Sequence, residues 1–195
     1  MENFGRLICK ENKNYNLLEI KNIFAGTDMA DILIEEKDGK IVVKRDDTEE
    51  KVVEISLVED IKKEKEILLD GVKGTFPEKS CEWVKKYLEE SNKIYSFELF
   101  EGVDDEYGWY IFESIRESMW EECGGIIQTD GEGYRNEEGF FILWQFEEDV
   151  EGYFEAAVLD KNGIWNCFEM DLSNNLHIKS FKNGEVPKGV EILEF

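Results

Sequence analysis

One histidine, two prolines and four scattered cysteines in 195 residues leave little material for metal or thiol chemistry. The single histidine, His177, rules out a two-histidine metal site within one chain and the His-Glu-x-x-His arrangement. Cys9, Cys81, Cys123 and Cys167 include no Cys-x-x-Cys pair, so they have neither the spacing of a zinc or iron–sulfur site nor the density of a disulfide framework. They read instead as small buried hydrophobes in a reducing compartment. No run approaches the roughly 18 apolar residues of a membrane span, and the opening Met-Glu-Asn-Phe-Gly-Arg has neither a basic leader nor an apolar core. These absences predict a cytoplasmic protein with no cofactor and no metal.

Positive charge is also scarce. Against 46 acidic side chains stand 23 basic ones, a formal net charge of −23. Such a surface repels nucleic-acid backbones and anionic lipids, so neither a direct nucleic-acid partner nor a membrane partner is expected. The deficit is uneven: residues 1–78 carry 19 acids and 13 bases, whereas residues 97–160 carry 19 acids and only two bases, Arg116 and Arg135. That one stretch supplies 17 of the 23 net negative charges.

With 42% apolar residues the chain can bury a substantial core. Alternation predicts strands at Asp31 to Glu36 and Lys40 to Lys44, joined by the Asp38-Gly39 turn, and at Lys51 to Val58. Glu59 to Glu66 reads as a connector or short helix, and Ile67 to Leu69 as a short strand. Cys81, Val84 and Leu88 mark a first amphipathic helix after Pro77, and Ile94 to Phe100 returns to an extended pattern. A second helix is predicted from about 106 to 123, where Ile111 or Phe112, Ile115, Met119 and Cys123 recur at helical spacing and Gly124-Gly125 stops it. Residues 130–139, rich in glycine, read as an exposed loop that gives Tyr134 and Arg135 a flexible mount. Phe140 to Phe146, Tyr153 to Leu159, Ile164 to Met170 and Leu176 to Phe181 are expected strands, and Val190 to Phe195 a closing edge strand. The expected class is α+β: mainly antiparallel sheets with two amphipathic helices, the second (about 106–123) packed on a C-terminal sheet. A β-rich lobe over 1–75 and an α+β lobe over 76–195 follow from the change in composition, as two lobes or as one continuous domain.

No constellation assigns a catalytic residue. Asp130-Gly131-Glu132-Gly133 fails the calcium-loop pattern, because Arg135 and Phe141 stand where glycine and glutamate are required. It also lacks the third glycine of a dinucleotide fingerprint and the lysine of a P-loop. Carboxylate pairs such as Glu98 with Glu155 keep an alternative open, a small hydrolase or metabolite-binding protein with a carboxylate-lined pocket.

Glu106, Glu113, Glu117 and Glu121 fall on the helix face opposite the apolar stripe, at a spacing where like charges cost a few tenths of a kcal/mol per pair. Trp109 and Trp120 flank that stripe, and Glu132, Tyr134, Glu137 and Glu138 follow in the glycine-rich segment. Acidic residues around exposed aromatic anchors suit a basic protein partner, through steering and cation–π contact. The partner-binding candidates are therefore Glu106, Trp109, Glu113, Glu117, Trp120, Glu121, Glu132, Tyr134, Glu137 and Glu138. In general character the chain is similar to immunity proteins that neutralise basic bacterial toxins and to acidic inhibitors that imitate nucleic acid. That likeness implies a toxin, a nuclease or a nucleic-acid-binding protein as the partner.

Overall fold

Asp38 and Gly39 both take positive φ, 52° and 76°. They form the two-residue turn that lets Lys37 pair with Lys40 and sets the register of an antiparallel hairpin. The structure is a computed structural model that describes residues 4–27, 29, 31–146 and 150–193. In chain order its elements are β1 (Phe4–Cys9), α1 (Leu17–Phe24), β2 (Leu33–Lys37), β3 (Lys40–Lys44), β4 (Lys51–Leu57), α2 (Ile61–Gly71), α3 (Glu78–Glu90) and β5 (Lys93–Leu99). There follow a 3-10 turn (Glu101–Val103), α4 (Glu106–Cys123), β6 (Ile126–Thr129), β7 (Gly133–Arg135), β8 (Phe141–Trp144), β9 (Tyr153–Leu159), β10 (Trp165–Asp171), α5 (Asn175–Lys182) and β11 (Ile192–Leu193). The class is α+β, and every described strand pairing is antiparallel except β8 with β9. Among the described residues no helix is long and apolar enough to cross a membrane.

The chain forms two compact units, each drawn from two segments: Met1–Ile61 with Ser91–Gly125, and Lys62–Glu90 with Ile126–Phe195. A single cut near residue 75 does not reproduce this division, because the chain leaves the first unit, builds two helices of the second and returns. In the first unit the strands run β1-β5-β4-β3-β2. Cross-strand partners share a face, so Leu7, Tyr95 and Leu57 lie on one side together with Phe97, Ile55 and Ile41. α4 packs on this sheet, against β4 and β1, and not on the C-terminal strands as expected. Its buried stripe is Ile111, Phe112, Ile115, Met119 and Cys123, and the Phe112 ring meets Phe97 edge-on at 5.9 Å. Apolar periodicity locates the stripe but carries no information on which sheet receives it.

In the second unit the strand order is β11-β10-β9-β8-β7-β6. Phe141, Ala156, Val158, Phe168, Met170 and Phe181 make its core. Three local expectations change. Ile67 to Leu69 is the end of α2, with Leu68 facing inward, because Ile61 to Gly71 continues as one helix. Leu176 to Phe181 is helical: the Asn174 side chain caps the Leu176 amide and Phe181 turns into the core, which outweighs the short alternation. Residues 130–139 hold β7, whose backbone passes so close to β8 that a Cβ on Gly133 would lie 1.8 Å from the Leu143 carbonyl oxygen.

Candidate protein-binding surface

α4 begins where Asp105 places its side chain over the helix end and accepts from the Gly108 amide at 2.9 Å. It ends where Gly124 turns left-handed at φ 56°, a conformation glycine adopts without a Cβ penalty. Between these caps lie five glutamates and one arginine. Glu106, Tyr110, Glu113, Glu117 and Glu121 follow at spacings of four, three, four and four, so they line one face over roughly 22 Å. Glu106, Glu117 and Glu121 are exposed and form no ion pair with a described residue. The one cation of the helix itself, Arg116, pairs with Glu113 at 3.0 Å and lies over the Phe112 ring, 5.4 Å away. Glu122, around the helix from this stripe, is paired with Lys13.

Two aromatic side chains stand exposed in this setting: Trp109 at 41% and Tyr110 at 59%. Trp109 packs its edge on Phe112 at 5.5 Å, so it is held from below while still open to solvent. Tyr110 was not among the sequence candidates; its place between Glu106 and Glu113 on the helix face is the signal that could have found it. Trp120 differs. Its indole Nε1 donates to the Gly125 carbonyl at 2.7 Å, which ties a half-buried ring to the helix end.

The acidic stretch 97–160 does not fall in one unit. Its α4 portion belongs to the first unit, whereas Glu132, Tyr134, Glu137 and Glu138 belong to the second. Tyr134 is 1% exposed in β7, so it is a core ring and not a surface anchor. Its segment is ordered by the Asn136 side chain, which accepts from the Phe140 amide at 2.8 Å, and Arg135 donates to the Gly139 carbonyl. Glu137 and Glu138 are exposed and Glu132 is half-buried.

The other chemical candidates are built into the fold. His177 Nδ1 accepts from the Asp171 amide at 3.2 Å beside the start of α5. All four cysteines are free and buried; the Cys81 thiol donates to the Val72 carbonyl, and Cys9 and Cys123 hydrogen-bond to each other. That bond, together with burial, pushes the Cys9 thiol up. No group of three or more His, Cys, Asp or Glu is placed to hold a metal among the described residues. A cleft of about 160 Å³ in the first unit is lined by a single carboxylate, Glu36, where the alternative of a carboxylate-lined catalytic pocket calls for at least two. No protein family, curated protein or solved structure matches the chain.

Proposed function

We propose that this protein is a cytoplasmic binder of a basic protein, an inhibitor or immunity-like protein that docks through the exposed face of α4. The observation that carries the reading is the pairing of two exposed aromatic rings, Trp109 and Tyr110, with three exposed glutamates on the same helix, Glu106, Glu117 and Glu121, that have no ion-pair partner among the described residues. Glu106 lies two turns, about 10 Å, from Glu113, but Glu113, Glu117 and Glu121 are each one turn apart, about 6 Å and inside the Debye length of roughly 8 Å at physiological salt. Their fields therefore add at the face and attract a basic surface, while the rings supply the desolvated contact that retains it. A toxin, nuclease or nucleic-acid-binding protein has the required charge. The cysteines, free and buried, suit a reducing compartment.

The test is capture from the host lysate with the wild-type chain and with a Trp109→Ala/Tyr110→Ala variant, followed by titration of the purified captured protein against both. The reading predicts a basic partner whose affinity falls at least tenfold in the variant, the size expected of an anchor residue. A partner that binds both chains equally well would place the docking surface elsewhere.

A further inference from the structure

The cleft in the first unit has a lining that selects for one kind of side chain. Its floor is Ile41 and Ile55, both nearly inaccessible, and its rim is Leu57, 44% exposed. These three come from β3 and β4 and lie on one face of the sheet. Tyr15 and Tyr95 form the walls, their rings meeting edge to face at 5.3 Å. Both hydroxyls are turned to the backbone, Tyr15 donating to the Met119 carbonyl and Tyr95 to that of Lys13, each at 2.7 Å. What they present to the cleft is aromatic ring. Tyr15 already attracts a cation, with Lys13 Nζ at 5.0 Å from its centroid. Burial pushes the Tyr95 phenol up to about 12, and the one carboxylate of the lining is Glu36. Glu36 is exposed and has no ion-pair partner among the described residues, whereas the nearby Glu19 carboxylate is engaged by the Asn16 amide.

An apolar floor, aromatic walls and one free carboxylate at the rim match a chain with an aliphatic stem and a cationic, planar head. Arginine fits better than lysine, because its guanidinium is weakly hydrated and stacks on aromatic rings. At about 160 Å³ the cleft is smaller than the roughly 300–1,000 Å³ of pockets that enclose metabolites, and of a size for one side chain. We propose that this cleft receives one arginine side chain of a protein partner, its stem on Ile41, Ile55 and Leu57 and its guanidinium between Glu36 and the tyrosine rings. The site stands on its own lining and does not require that the face of α4 bind the same partner.

Backbone amide shifts of the full chain, titrated with N-acetyl-arginine N-methylamide and with its neutral citrulline counterpart, test this. The expected result is saturable shifts centred on Asn16, Gly39, Ile41 and Leu57, with the arginine probe about three- to tenfold tighter than the citrulline one. Glu36→Gln, at an exposed position without an ion pair, should keep the native spectrum and bring arginine binding down to the citrulline level. No saturable shift at these amides, equal binding of the two probes, or unchanged arginine binding by Glu36→Gln would each overturn the proposal.

Discussion

The Arg45 guanidinium donates to Asp105 at 2.7 Å, and Asp105 is also the N-cap of α4. One carboxylate thus fixes where the acidic helix starts and joins it to the chain just beyond β3. Arg45 is itself held from the other side by Asp47, through two hydrogen bonds of 2.8 Å.

This pair predicts how stability responds to acid. Asp105 is held below the usual carboxylate range by the Gly108 amide first and Arg45 second, and Asp47 by Arg45. A carboxylate whose pKa is depressed by folding stabilises the fold fully above its unfolded value, near 4, and loses that contribution as pH falls through the folded value. Asp105→Asn keeps an oxygen for the cap but cannot ionise. Its denaturation midpoint should therefore fall less than that of wild type between about pH 5 and pH 2. Parallel pH profiles for the two proteins would remove Asp105 as a contributor.

Gly108→Ala should destabilise the protein, reversing the usual preference for alanine within helices of roughly 1 kcal/mol. A Cβ at this position would lie 1.6 Å from the Gly102 carbonyl oxygen, so the helix and the 3-10 turn before it must separate. Chemical denaturation reads the sign directly, and a midpoint at or above that of wild type would show that the approach relaxes without cost.

Met119 is fully buried on the inner face of α4. Met119→Asp should cost about 3 to 5 kcal/mol, a cavity plus an unpaired buried carboxylate, and Met119→Leu less than about 1.5 kcal/mol. Equal urea midpoints for the two variants would mean that the helix presents a different face to the sheet.

What the sequence disclosed was local. The limits of α4 were legible because an apolar stripe at three- and four-residue spacing ends at a Gly-Gly pair, and the β2–β3 hairpin because Asp38-Gly39 chemistry admits few other turns. α1 is absent from the expected elements, although Asn16 and Glu19 carry the capping-box spacing and both of its reciprocal hydrogen bonds form. The partners of each element were hidden, since periodicity says which side of α4 is buried but not that β1 and β4, far apart in sequence, receive it. The same limit applies to the candidate surface: charge counting drew Glu106 to Glu138 into one patch, whereas the chain passes from one unit to the other at Gly125. The burial of Tyr134 is hidden in the sequence because glycines imposed by the close β7–β8 approach resemble those of a loop.

The thiols give a further check. Cys9, Cys81, Cys123 and Cys167 are all buried, and the Cys9 thiol is pushed up by its bond to Cys123 and by burial. The native protein should resist a polar thiol reagent at neutral pH, while the denatured chain reacts at all four positions. Rapid labelling of any cysteine in the native state would contradict the packing described.

The most direct measurement of the proposed function is the association rate of the purified partner with wild type and with a Glu113→Gln/Glu117→Gln/Glu121→Gln variant, followed as salt is raised. Steering by the α4 face predicts an on-rate lower by about tenfold at low salt in the variant, with a flatter salt dependence and less change in dissociation. Equal on-rates with equal salt slopes would contradict the assignment of this face.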